Sequence, residues 1–192
     1  ATLLEAILLK FLPKELVEYN AIEAEEETEL LIQNVESMRK KKIHITTECV
    51  CDLPKKFLDH YGIATMYSYV ETENGRFCDT SEITSDNLLE YMSSGSVNAK
   101  SLTASVGEFE TFFSNALSVG EKVIHLTPAY KLGTGYKNAL AAAQGFDNVT
   151  VIESGHISTG MGLLVLRAAH LMEKGASADE IVEDLERTKS KI

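Results

Sequence analysis

The stretch Val149–Gly175, VTVIESGHISTGMGLLVLRAAHLMEKG, decides how this chain folds. Val149, Val151 and Ile152 are strand formers. Ser154, Gly155, Ser158, Thr159 and Gly160 then break the periodicity. From Met161 the sequence is apolar on nearly every side of a helix until Arg167. A helix of that kind packs against a sheet and a second surface at once. A small-residue loop between a strand end and a helix start is where an open α/β sheet places its ligand.

The same order recurs upstream. Val123–Leu126 reads as a buried strand, followed by TPAYKLGTGYKNALAAAQG, a small-residue loop running into an Ala-rich helix from Tyr136. Before it, GEFETFFSNAL is an amphipathic helix, entered from a polar loop at 101 to 105. Ile43, Ile45 and Thr47 give a first strand. Asp52 as cap and Pro54 near the first turn open a helix that stops at Gly62. Ile63 to Val70 reads as one strand, and Asn74-Gly75 as a hairpin signal. Thr84 starts another helix that ends in the SSGS loop at 93 to 96, and Ala178 to Lys189 is the last helix. Strands alternating with helices predict an α/β fold: an open, mainly parallel sheet with helices on both faces, at 42–192.

An α-helical extension is expected before it, at 1–41. Leu3, Leu4, Ile7, Leu8, Phe11 and Leu12 share one helical face, and a longer helix follows from 14 to 40 around an acidic middle, EAEEETE. Such a segment serves as a linker, as a dimerisation arm making a homodimer through residues 1–40, or as a cap on a neighbouring domain.

Composition narrows the function. Twenty-nine acidic residues against 18 basic ones give a net charge of −11. A chain so acidic has no general affinity for a nucleic-acid backbone. No stretch reaches the length of a membrane-spanning helix. Three cysteines, Cys49, Cys51 and Cys78, are an odd number and favour a reducing, cytoplasmic setting over a disulfide scaffold.

The loops at 47 to 52, 101 to 105, 127 to 135 and 154 to 160 are expected to gather at one sheet edge. They contain neither a phosphate-loop lysine nor a dinucleotide fingerprint, so no cofactor is implied. Hydroxyls and backbone N–H groups of this kind suit a small anion such as a carboxylate. The candidates are Ser101, Thr103, Ser105, Thr127, Thr134, Ser154 and Ser158. Each also has a local reading as a cap or turn residue. Ser154 and His156 lack the elbow of a nucleophile–base pair. Cys49-x-Cys51 with Cys78 and His44 or His156 matches structural zinc spacing poorly. His125 and His170 read as core residues, inside an apolar strand and an apolar helix.

Five stretches in order, residues 47–54, 77–83, 101–109, 129–136 and 153–162, carry a resemblance: from Ile43 to Ile181 the chain resembles the amino-terminal domain of the DegV family of bacterial lipid-binding proteins. Thr47-Glu48-Cys49-Val50-Cys51-Asp52-Leu53-Pro54 resembles that family's Asp-Ser turn and Asp-Leu-Pro. Phe77-Cys78-Asp79-Thr80 with Glu82-Ile83 resembles its hairpin. Ser101-Leu102-Thr103-Ala104-Ser105 followed by Gly107-Glu108-Phe109 resembles its Thr-Ser-Gln-Pro-Ser stretch. Ala129 to Tyr136 falls on its Ser-Ser-x-Leu-Ser-Gly-Thr-Tyr, and Glu153-Ser154 with Ser158, Gly160 and Gly162 on its Asp-Ser-x-x-x-Ser-x-Gly-x-Gly.

The resemblance implies a non-catalytic carrier of a long-chain fatty acid or related lipid. Its carboxylate is held by loop hydroxyls, and its tail is closed off partly by a second, carboxy-terminal domain that is expected to be absent here. It also implies a fatty-acid kinase as partner. The implied ligand-binding residues are Ser101, Thr103, Thr127, Gly133, Thr134, Gly135, Cys49, Ser154 and Ser158. Ser101 and residues 133 to 135 are expected within reach of one anion. Ala129, Tyr130 and Gly133 stand where the pattern has serines. Each lost hydrogen bond to a charged group is worth about 1.5–3 kcal/mol, which favours weaker binding or another ligand. Two alternatives follow: a regulatory module sensing a different small acid within a larger protein, and an enzyme of phosphoryl or acyl transfer.

Overall fold

A computed structural model describes residues 41–95 and 98–192. The helices expected at 1–12 and 14–40, and the dimerisation arm they would form, lie outside the described residues.

Four strands form a parallel sheet in the order β2-β1-β6-β7: β1 (Lys41–Glu48), β2 (Ala64–Met66), β6 (Gly120–Thr127) and β7 (Val149–Glu153). Helices α1 (Lys55–Tyr61), α5 (Ser158–Glu173) and α6 (Ala178–Thr188) pack on one face with Ile43, Ile45, Ile124, Leu126 and Ile152. Helices α3 (Val106–Val119) and α4 (Gly135–Ala143) pack on the other with Met66 and Val123. Both faces of β1 and β6 are buried along most of their length, although β1 alternates apolar and polar residues. The expected α/β architecture, a mainly parallel sheet between two helical layers, is therefore the observed one.

A second, antiparallel sheet of three short strands, in the order β4-β3-β5, sits in the long connection from β2 to β6. It comprises β3 (Tyr69–Thr72), β4 (Gly75–Cys78) and β5 (Lys100–Leu102). Helix α2 (Ser85–Ser93) lies between β4 and β5, capped by Thr84 in a reciprocal pair with Asn87.

Four sequence expectations need correction. Residues 63 to 70 are not one strand: the chain leaves the parallel sheet after Met66, where the Ser68 N–H donates to Cys49 Sγ at 3.2 Å, and enters the small sheet at Tyr69. The polar loop at 101 to 105 begins as β5, whose residues Lys100 and Ser101 are exposed and so show no apolar alternation. Asp52 caps no helix through its side chain. It closes a 3-10 turn at Cys49–Cys51 with φ 52°, and Pro54 precedes α1. His170 is exposed on the solvent side of α5 rather than in the core.

Two glycines are fixed by close approach. A Cβ at Gly162 would lie 2.8 Å from the carbonyl oxygen of Cys51, so α5 reaches the turn after β1 only without a side chain there. A Cβ at Gly135 would lie 3.1 Å from both carboxyl oxygens of Glu48.

Candidate functional site

The strand order places the crevice. From β1 the chain moves outward to β2, whereas β6, on the other side of β1, continues outward to β7. The carboxyl ends of β1 and β6 therefore flank a topological switch point, where loops diverge and leave room for a ligand. Glu48 ends β1, Thr127 ends β6, and the segment from Pro128 to Thr134 runs from β6 into α4.

Two further loops meet there. Thr103 and Thr134 share a hydroxyl–hydroxyl hydrogen bond of 2.6 Å. Gly133 lies under Thr103, whose methyl would be 3.5 Å from a Cβ at that position. Asn138, one turn into α4, donates to the Ala104 carbonyl at 2.7 Å and ties the same two loops. On the other side the Ala129 N–H donates to the His156 carbonyl at 2.8 Å, and the Tyr130 N–H to the Glu153 carboxylate at 3.0 Å. Lys189 donates to the Glu153 carbonyl at 3.1 Å, so the end of α6 braces the loop after β7.

The implied ligand residues divide by how free they are. Thr103, Thr134 and Gly133 meet at the crevice, and Gly135 begins α4 beneath them. Thr127 is fully buried, with its hydroxyl donating toward the Ile152 and Pro128 carbonyls. Ser154 is fully buried too; its hydroxyl donates to the His156 carbonyl and accepts from the His156 N–H, both at 3.1 Å. Cys49 is buried, and burial pushes its thiol pKa up. Ser158, half-buried, takes a left-handed φ of 55° at the start of α5. Ser101 is exposed on β5 opposite Val70; the contact with residues 133 and 134 comes from Thr103, two residues on. Ser105 caps α3 in a reciprocal pair with Glu108.

The electrostatics come from burial. Glu48 is 2% exposed, its Oε1 has no hydrogen-bond partner among the described residues, and loss of water pushes its carboxyl up to about 7. His125, on the same face of the sheet one strand away, is fully buried among the rings of Phe109, Phe112 and Phe113. Desolvation lowers it to about 3, so it stays neutral, with Nδ1 bonded to the Thr46 hydroxyl at 2.9 Å. Among the described residues no group of three His, Cys, Asp or Glu is placed to hold a metal. No helix among them is long and apolar enough to cross a membrane.

Sequence reasoning passes over Asn138 as a part of the crevice and offers Glu48 and Glu153 only as candidates for a carboxylate pair. Asn138 carries a readable signal, since it lies four residues after Thr134 on one helix. The burial of Glu48 carries none, because it depends on the start of α4 lying against the end of β1.

Comparison with known proteins agrees with this architecture. Residues 42–192 match the family model described as "Uncharacterised protein, DegV family". A DegV domain-containing protein of Deinococcus radiodurans is 32% identical over 146 residues, which is 76% of this chain and 52% of that protein. One from Clostridium acetobutylicum is 27% identical over 150 residues, 77% of this chain and 54% of its own length. The chain thus spans about half the length of the curated relatives it matches. A Thermus thermophilus DegV family protein, described for its fatty acid binding, superposes with a TM-score of 0.74 at 29% identity, covering 78% of this chain and 54% of that one. DegV of Bacillus subtilis shares the fold, with a TM-score of 0.73 at 19% identity over 79% of this chain and 55% of its own. With the family model covering nearly all of the described residues and this fold shared, the chain belongs to the DegV family.

Proposed function

We propose that this domain binds, without catalysis, the carboxylate head of a long-chain fatty acid or related lipid in the crevice between the ends of β1 and β6. The observation that carries this reading is the hydroxyl pair of Thr103 and Thr134, 2.6 Å apart across two loops at the first turn of α4. Each hydroxyl has a proton and lone pairs to redirect, and an anion between them gains two charge-assisted bonds. The N-terminus of α4 adds the favourable end of a helix dipole and free backbone N–H groups. Gly133 and Gly135 let the backbone approach, Asn138 and Glu153 hold the loops in place, and Ser101 lies two residues upstream of Thr103 as a further donor. Cys49, Thr127 and Ser154, all buried, support the loops from beneath, and Ser158 opens α5.

Fatty acid binding by the Thermus relative supports the choice of ligand, since the matched half of that protein has this architecture. Residues 42–192 then act as the amino-terminal domain of such a carrier. A kinase acting on the bound carboxylate, a homodimer through residues 1–40 and a cytoplasmic location belong to the same proposal. The three cysteines, all free thiols, suit that reducing compartment.

Native mass spectrometry of the purified chain tests the reading. The expected result is a co-purified mass matching a C16–C18 fatty acid, reduced about tenfold or more in Thr134→Val, which removes a hydrogen bond to a charged group. Recovery of apo protein alone after expression with fatty acid supplied contradicts it.

A further inference from the structure

Glu48 is the least explained residue at the crevice. It ends β1 at the switch point, is 2% exposed, and has an Oε1 without a partner among the described residues. A buried polar atom left unpaired costs about 1–3 kcal/mol, so its retention calls for a partner that arrives later. Its carboxyl lies against Gly135, the first residue of α4, where any side chain would press on both oxygens at 3.1 Å. Gly135 adjoins Thr134, whose hydroxyl meets that of Thr103. Glu48 and the hydroxyl pair thus lie on two sides of one helix start.

We infer that Glu48 is a ligand-contacting residue, whose neutral carboxyl donates a hydrogen bond to the carboxylate of a monocarboxylic acid seated at the start of α4. The inference deepens the binding reading above and rests on it. The helix N-terminus favours one negative charge. Two carboxyls side by side cannot both ionise at low cost, so ligand and Glu48 share one charge and one proton. A phosphate dianion would set too much charge against that group, so the site selects monocarboxylates.

Among the described residues no cation faces Glu48. Along the sheet β2 sets Met66 beside it, and β6 pairs Leu126 with the preceding Thr47. His125 of β6, opposite Thr46 on the same face, is held neutral by burial. From α4 comes Gly135, and the neighbouring Cys49 is kept as a thiol by burial. The proton on Glu48 is therefore what admits the ligand, and binding weakens once that proton is lost.

Titration calorimetry of the purified chain with dodecanoate between pH 6 and 9 tests this, with inorganic phosphate as the control anion. Wild-type affinity is expected to fall about tenfold per pH unit above about pH 7, and Glu48→Gln, which keeps a neutral donor, is expected to bind with no such slope. Runs at pH 8 in two buffers of different ionisation enthalpy are expected to show uptake of about one proton by the wild type, a measurement that needs no variant. Dodecanoate binding that is independent of pH in the wild type, equally steep in Glu48→Gln, unaccompanied by proton uptake, or matched by phosphate overturns the role of Glu48 and leaves the binding site standing. Absence of dodecanoate binding in both forms at every pH overturns the binding reading itself, and the inference with it.

Discussion

The two faces of the parallel sheet are cut from the same strands and carry opposite chemistry. On one face Ile43 and Ile45 of β1, Ile124 and Leu126 of β6 and Ile152 of β7 meet α5 and α6 as hydrocarbon. On the other, the alternate residues His44, Thr46 and Glu48 of β1 and His125 and Thr127 of β6 are just as buried but polar. Helices α3 and α4 cover them with Phe109, Phe113, Ala139 and Ala142. Successive residues of a strand face opposite ways, so one strand can serve cohesion on one side and chemistry on the other. The polar row is satisfied where it starts: His44 bonds the Ala116 and Gly62 carbonyls at 3.2 and 3.1 Å, and Thr46 bonds His125. Two atoms of the row have no partner among the described residues: His125 Nε2, enclosed by the phenylalanine rings, and Glu48 Oε1, at the carboxyl end of β1.

Large-to-small changes probe both faces most severely. Phe113→Ala is expected to cost about 3–5 kcal/mol and Leu164→Ala about 2–5 kcal/mol in urea denaturation. The two differ in their pH response. Phe113 contacts the His125 ring, with centroids 5.2 Å apart, so its loss lets water reach the imidazole and flattens the acid limb of the stability curve. Leu164→Ala leaves the shape of that limb unchanged, because its face is hydrocarbon. Equal pH profiles for the two variants would erase the distinction between the faces.

The acid limb itself comes next. Folded His125 titrates at about 3 against 6.5 in the unfolded chain, so between those values the unfolded chain binds a proton that the folded chain refuses. Stability therefore falls as pH drops from about 6.5 toward 3, by an amount on the order of 5 kcal/mol. His125→Gln, which keeps a partner for Thr46, is expected to lose most of that slope.

Glu48 acts in the opposite direction. Its folded carboxyl titrates at about 7 against 4.5, so the folded chain binds the extra proton. Its contribution is present in full below pH 4.5 and is lost as pH rises through about 7, by about 3 kcal/mol. Glu48→Gln is expected to be more stable than the wild type at pH 8 in thermal melts followed by circular dichroism. A wild-type stability that rises from pH 6 to 8, with the variant tracking it, would contradict the burial of an unpaired carboxyl. The smallest effect belongs to a residue that serves neither face. Thr84→Ala removes the cap of α2 and is expected to cost about 1 kcal/mol at every pH.

The apolar face was the legible one. Its strands and the long helix after β7 follow from Val149, Val151, Ile152 and the run from Met161, because a run of apolar residues has few other places to go. The small antiparallel sheet was hidden for a physical reason. Its strands are three or four residues long and largely exposed, and β5 begins with Lys100 and Ser101, so periodicity had nothing to register. His170 was misjudged because α5 is apolar on three sides only, and Leu163 stands exposed on it as well. Of the crevice, the loops and Thr103, Gly133 and Thr134 could be read from small residues between strand and helix. The burial of Glu48 could not, since it needs the register of β1 and the path of α4 together.

The central claim, that an acyl carboxylate sits at the start of α4, is tested most directly by titrating dodecanoate into the ¹⁵N-labelled chain and following its amide spectrum. The account predicts that the largest, saturable shifts fall on the N–H groups of Thr103, Thr134, Gly135 and Tyr136. Unmoved signals there, with shifts instead at the opposite end of the sheet around the cleft lined by Lys41, Lys122 and Ala176, would contradict it.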